Sequence, residues 1–295
     1  MACRPPIVDL SDFDRRRSEI QKQLMDAAQG TGFFYISGHG IVQSLIDEAY
    51  GQADSFFQLP HDAKDRLPKV DWAACKVRGY ELNNLTDGTL HESMMQAFDV
   101  HEDMEGAWPP ESMLPDYRAT TVAFMQAMHP VAQRILSCFA TGLGFSPDFF
   151  EKMTDISSPE NHTFLQYHKY PSTEGLKWKP GTNRITAHTD ESLITLLHIG
   201  PGSMLSDGLL KSNYHRVRMP LPGEPQGDRY SMGYFVWPAL HDKLQGKSGK
   251  TSATTMAEYM KQKGKIFSYS FSPDIDTYEK SQQYAFGPPQ IESAA

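Results

Sequence analysis

The sequence predicts an α+β protein, with helices in the first part of the chain and an antiparallel sandwich or barrel in the second. Three observations predict it. Apolar residues recur at helical spacing in three stretches before residue 160, and from about Thr163 onward short β-rich runs alternate with turn clusters. Within that second part, His188 and Asp190 stand two residues apart in Thr186-Ala187-His188-Thr189-Asp190-Glu191-Ser192-Leu193-Ile194. Residues at i and i+2 point to one face of a strand, so the imidazole and the carboxylate would converge on one point.

The first helix is expected from Arg15 to Ala28, capped by Ser11 or Asp12, with Ile20, Leu24 and Ala27 or Ala28 on one face and Gly30 and Gly32 as its stop. Phe33 to Ile36 reads as a buried strand. A second helix carries Leu45, Ala49, Ala53 and Phe56 and ends before Pro60. A third joins Phe124, Met128, Val131, Ile135 and Phe139, with Pro130 expected to kink it and Gly142 and Gly144 to close it. These stripes are core. Turn clusters at Pro171 to Gly175, Pro180 to Asn183 and Pro220 to Asp228 then punctuate the strands. Met256 to Lys263 reads as a helix closed by Gly264, and Tyr284 to Ala295 as a loose terminus. The lysines from Lys243 to Lys250 read as a solvated loop.

Composition narrows the function classes. The 295 residues, 39% of them hydrophobic, suffice for a sizeable core. A net charge of −8 argues against general nucleic-acid binding, which needs a basic surface. No apolar run approaches the roughly 20 residues of a bilayer span, and no signal-peptide core precedes the first helix, so a soluble cytoplasmic protein with a small-molecule substrate is expected. Cys3, Cys75 and Cys138 lack metal-ligand spacing and read as reduced structural thiols.

A second imidazole beside His188 and Asp190 would complete the two-histidine, one-carboxylate face that holds non-haem Fe(II) with open positions, and His215 is the best candidate. Fourteen positions later come Arg229 and Ser231, again an i, i+2 pair. A guanidinium fork and a hydroxyl on one face make a carboxylate clamp. His39, His91, His101, His162, His168 and His198 have no partner spacing that favours metal.

The order His-x-Asp, then His215-Arg216-Val217, then Arg-x-Ser resembles the Fe(II)- and 2-oxoglutarate-dependent dioxygenases of the isopenicillin N synthase-like branch. The resemblance extends to Pro6 to Leu10, Thr31 to Ile41, Arg78-Gly79-Tyr80, Trp108-Pro109 and Tyr167-His168-Lys169-Tyr170-Pro171. It implies a double-stranded β-helix, or jelly roll, spanning 161–275, behind an N-terminal region over 1–115 and a connecting helix over 116–160, with a tail over 276–295. It also implies His188, Asp190 and His215 as iron ligands and Arg229, Ser231 and Tyr170 as contacts to 2-oxoglutarate. Dioxygen and 2-oxoglutarate would be co-substrates, the latter leaving as succinate and carbon dioxide while a small organic metabolite is hydroxylated, desaturated or cyclised.

One departure stands out. Only 24 residues separate Asp190 from His215, where that family carries a longer interval with further strands. The β-helix is therefore expected to be shortened by about two strands, with an exposed sheet edge. A shortened functional variant, a form lacking a segment and a non-catalytic remnant all fit this spacing. An iron oxidase that does without 2-oxoglutarate is a further alternative, opposed by the intact Arg229-x-Ser231 pair.

Overall fold

The computed structural model describes residues 5–70, 78–83, 89–97, 108–190, 192–196, 214–249 and 252–262. The stop at Gly264, the tail, Cys3, Cys75, His101 and His198 lie outside the described residues. Strand β1 (Ile7–Asp9) pairs in parallel with β2 (Tyr35–Ser37). Between them α1 (Phe13–Gln29) buries Phe13, Ile20, Leu24, Ala27 and Ala28, the face expected from its spacing. Its cap differs from expectation. Asp12 occupies the N-cap position with φ 52° and caps nothing, because its carboxylate pairs with Arg15 at 3.0 Å. The Ser11 backbone N–H instead turns back to Asp9 Oδ1 at 3.0 Å. At the other end Gly30 N–H returns to Asp26 O and Gly32 N–H to Ala27 O.

The expected buried strand at Phe33 to Ile36 is corrected. β2 begins two residues later, and Tyr35 is 59% exposed. Among the described residues β2 has β1 as its only strand partner, so the apolar run seals no sheet interior.

Helix α2 (Gln43–Phe57) buries Ala49, Ala53, Phe56 and Phe57, and Pro60 then starts the short α3 (His61–Asp65). The long α4 (Tyr117–Gly142) accommodates Pro130 in its interior and buries Phe124, Val131, Ile135 and Phe139. It packs against α1, α2 and α5 (Phe149–Met153), forming a helical layer.

That layer meets a five-stranded antiparallel sheet of order β3-β4-β5-β9-β7: β3 (Gly79–Asn83), β4 (His91–Ala97), β5 (Phe164–Tyr170), β9 (Arg229–Val236) and β7 (Ile194–Thr195). The sheet thus draws two strands from before the long helix and three from after it. Phe164 and Phe235 stack across β5 and β9 at 4.8 Å, and Trp237 closes the same core edge-on to Phe164. Gly79 opens β3 at φ 126°, where a Cβ would stand 2.0 Å from the Pro68 carbonyl oxygen, so no other residue fits. Lys64, 5% exposed, reaches Glu92 at 2.7 Å, and Tyr80 donates to the same carboxylate, tying α3 to β4 through a compensated buried charge.

A separate antiparallel pair joins β6 (Asn183–His188) to β8 (His215–Arg218). Near the end of the described chain β10 (Lys243–Leu244) pairs with β11 (Thr254–Thr255), so the expected lysine loop begins as a strand. Residues 256–262 are helical, as the sequence predicts.

Candidate metal centre and carboxylate clamp

β6 ends at His188, which its backbone pairs with His215, the first residue of β8. Asp190 follows in the turn, so the expectation that histidine and aspartate share one strand is corrected. The ladder shifts register twice between Asn183 and His188, and the chain leaves the strand before Asp190. The three side chains nevertheless converge. His188 Nε2 is 3.4 Å and His215 Nε2 3.6 Å from Asp190 Oδ1, the two imidazole centroids are 4.3 Å apart, and one ligand atom from each residue falls within 4.8 Å of the others. Adjacent ligands bound at roughly 2.1 Å would stand about 3 Å apart, so each histidine is within a few tenths of an ångström of that spacing from the Asp190 carboxylate.

The protonation pattern suits a metal. His188 Nδ1 is 2.8 Å from the Thr186 carbonyl oxygen, which only accepts, so Nδ1 donates there and Nε2 is the atom turned toward Asp190 that would bind a metal. Asp190 is 6% exposed, and its Oδ2 accepts from Thr195 Oγ1 at 2.7 Å. Ser192 Oγ lies 2.7 Å from Thr195 Oγ1; with the Thr195 proton committed to Asp190, the serine donates. Phe33 sets its ring edge against His215 at 6.1 Å. Two imidazoles and one carboxylate fit a borderline divalent ion such as Fe(II).

On β9, Arg229 and Ser231 face Tyr170 and His168 of β5 in register. Tyr170 Oη is 3.2 Å from Ser231 Oγ, and the Arg229 guanidinium lies 5.2 Å from the Tyr170 ring centroid. All three residues expected to contact 2-oxoglutarate are therefore together. Tyr170 is 2% exposed, and burial raises its pKa, so it stays a neutral hydrogen-bonding phenol. His168 stacks on Tyr170, and burial pushes it down to about 3, with its Nδ1 lacking a partner. His91, lowered to about 4 by burial, donates from Nδ1 to the Arg184 carbonyl and is a structural tie. His39 is likewise local, accepting from Ile41 N–H.

Two residues of this neighbourhood escaped the sequence reading. Thr195 orients the aspartate, and Arg184, 4% exposed, lies 5.5 Å from the Tyr170 ring centroid. Neither carries a sequence signal of its own, since the two register shifts in β6 break the strand parity that would otherwise link Arg184 to His188.

Residues 5–119 match the family described as non-haem dioxygenase in morphine synthesis, N-terminal. The 2-oxoglutarate-Fe(II) type oxidoreductase ppzD of Metarhizium rileyi is 25% identical over 330 aligned positions, covering 92% of either chain. The 2-oxoglutarate-dependent dioxygenase frbA of a Dothideomycetidae species is 27% identical, over 76% of this chain and 81% of that one. Among solved structures, a full-length Neurospora crassa protein in complex with alpha-KG and thymine superposes with a TM-score of 0.79 at 20% identity, covering 89% of this chain and 97% of that one. The dioxygenase for auxin oxidation of rice superposes with a TM-score of 0.68 at 19% identity, covering 90% and 96% of the two chains. In its ordered motifs, its converging triad and these relatives, the chain is similar to Fe(II)- and 2-oxoglutarate-dependent dioxygenases along most of its length.

Proposed function

We propose that this chain is a 2-oxoglutarate-dependent dioxygenase that oxidises a small, largely apolar organic molecule. The convergence of His188, Asp190 and His215 carries the proposal, because it survives the short interval that separates them in sequence. Bound Fe(II) would supply dioxygen activation, coupling the decarboxylation of 2-oxoglutarate to succinate with oxidation of the substrate. His188 offers Nε2 because Thr186 fixes its other proton, and His215 completes the face from the partner strand. Asp190 presents Oδ1 while Thr195 holds Oδ2. Arg229 and Ser231 would hold the distal carboxylate of 2-oxoglutarate, with Tyr170 keeping the hydroxyl in place. This arrangement fixes the co-substrate in one orientation and disfavours monocarboxylic 2-oxo acids.

The substrate class follows from the adjoining cavity of about 500 Å³, lined chiefly by apolar residues including Phe33, Phe34, Ile36, Phe124, Met128 and Leu196. Two of its lining residues reach the metal centre, Phe33 through His215 and Thr195 through Asp190. Such walls exclude water and favour a mainly apolar ligand. We read the core as a jelly roll shortened by about two strands. In support, β7 is a two-residue terminal strand, β8 has β6 as its only partner among the described residues, and the ppzD alignment runs longer than the 295 residues of this chain.

The test is an anaerobic titration of apo-protein with Fe(II) and then 2-oxoglutarate, following the visible metal-to-ligand charge-transfer band. A saturable band that weakens in Arg229→Ala is expected. A folded protein that binds neither ligand would instead be a non-catalytic remnant.

A further inference from the structure

Arg184 and Arg229 approach one aromatic ring from two different strands, with guanidinium carbons 5.5 and 5.2 Å from the Tyr170 centroid, and both line one cavity. Two cations this close repel unless an anion lies between or beside them. Among the described residues neither has a carboxylate within 4 Å, since the nearby acids are engaged elsewhere: Asp228 with Lys169 at 3.2 Å and Glu224 with Arg218 at 2.7 Å. Arg184 is buried, and among the described residues its Nε has no hydrogen-bond partner and its one hydrogen bond is a long 3.4 Å contact to the Pro171 carbonyl. A guanidinium is costly to bury with donors unused, so Arg184 is suited to receive an anion. Burial first, and then Arg229, hold its pKa below the usual arginine value.

We propose that Arg184 is a second positioning residue for the co-substrate, so that the distal carboxylate of 2-oxoglutarate is shared between two guanidiniums flanking Tyr170. This inference rests on the dioxygenase reading above. It assigns Arg184 a task that Arg229 alone cannot perform. Arg229 is exposed at the start of β9, whereas Arg184 is enclosed and supplies the desolvated charge that makes a carboxylate contact strong. Discrimination between dicarboxylic and monocarboxylic 2-oxo acids would then depend more on Arg184.

The experiment is isothermal calorimetry on the full chain loaded with redox-inert Mn(II), titrated with 2-oxoglutarate and with 2-oxopentanoate, which lacks the distal carboxylate. Arg184→Met is expected to weaken 2-oxoglutarate roughly ten- to hundredfold, the range for a charge-assisted contact, while leaving 2-oxopentanoate unchanged. Arg184→Lys should recover part of that loss. Wild-type affinity for 2-oxoglutarate in Arg184→Met overturns the inference, and so does equal weakening of both acids, which would mean packing alone. If Arg184→Met does not fold, Arg184→Lys decides, because retention of full wild-type selectivity in it also overturns the inference. A wild-type protein that does not distinguish the two acids sinks the co-substrate reading itself, and this inference with it.

Discussion

The two strand pairs that carry the site are built differently. β5 and β9 run together through seven consecutive register pairs, from Phe164 opposite Phe235 to Tyr170 opposite Arg229, whereas β6 and β8 make three pairs interrupted by two shifts. The clamp is therefore placed by continuous backbone pairing over a stacked aromatic core. The metal face is placed largely by side-chain hydrogen bonds: His188 to Thr186, Ser192 to Thr195, and Thr195 to Asp190. A long ladder fixes geometry by cooperativity, while a short one needs local contacts to hold each donor.

This contrast can be broken from either side. The largest effect is expected from His188→Ala, which should abolish Fe(II) binding and turnover in a metal titration while the melting temperature changes little, since the residue adds little to the core. Phe164→Ala attacks the other pair. It removes a buried ring stacked on Phe235 and should destabilise the whole protein by about 3–5 kcal/mol in denaturant unfolding. If Phe164→Ala proved mild, the claim that the long ladder is the rigid platform would fail. Arg229→Ala should cost about 2 kcal/mol of 2-oxoglutarate affinity with Fe(II) affinity retained, separating clamp from metal face. Thr195→Val should weaken Fe(II) binding by roughly tenfold, the lower range for loss of a residue that orients a ligand, and leave unfolding nearly unchanged.

A pH effect, about 1 kcal/mol for each unit, concerns the helical layer behind the long ladder. Gln133 donates to His129 Nε2 at 2.9 Å and also to Thr154, so His129 Nδ1–H donates to Tyr234 Oη at 3.0 Å. A proton added at Nε2 would face a donor, and burial holds this histidine down at about 4. The unfolded chain takes up that proton near the ordinary value of 6.5, so between pH 6.5 and 4 it binds more protons than the folded one. Stability should therefore fall as pH drops through that window, by on the order of 1 kcal/mol per pH unit from this group. Urea melts of wild type and His129→Gln would isolate it, and parallel pH curves would exclude His129 as the cause.

Much of this was legible in sequence, for definable reasons. The helices α1, α2 and α4 follow from apolar spacing, because each buries one continuous face. The cap at Asp12 was misjudged because a nearby arginine competes for the carboxylate, and capping rules do not count rivals. Phe33 to Ile36 looked buried because an apolar run cannot reveal how many neighbours its strand will have. The six candidate site residues could be named from sequence because their chemistry demands fixed residue types, and the structure brings them together as two groups of three. Arg184 and Thr195 could not be named that way, because what holds a ligand in place is set by tertiary proximity.

The threonine contact on Asp190 also has a bearing on metal choice. With Oδ2 accepting the Thr195 hydroxyl proton, the aspartate presents Oδ1, and bidentate chelation would have to compete with that hydrogen bond. Calcium, which seeks six to eight oxygens and often takes both from one carboxylate, gains little from such a face. A borderline transition ion loses nothing, since it wants two nitrogens and one oxygen. One hydroxyl proton thus tilts selectivity among abundant cations before any co-substrate arrives.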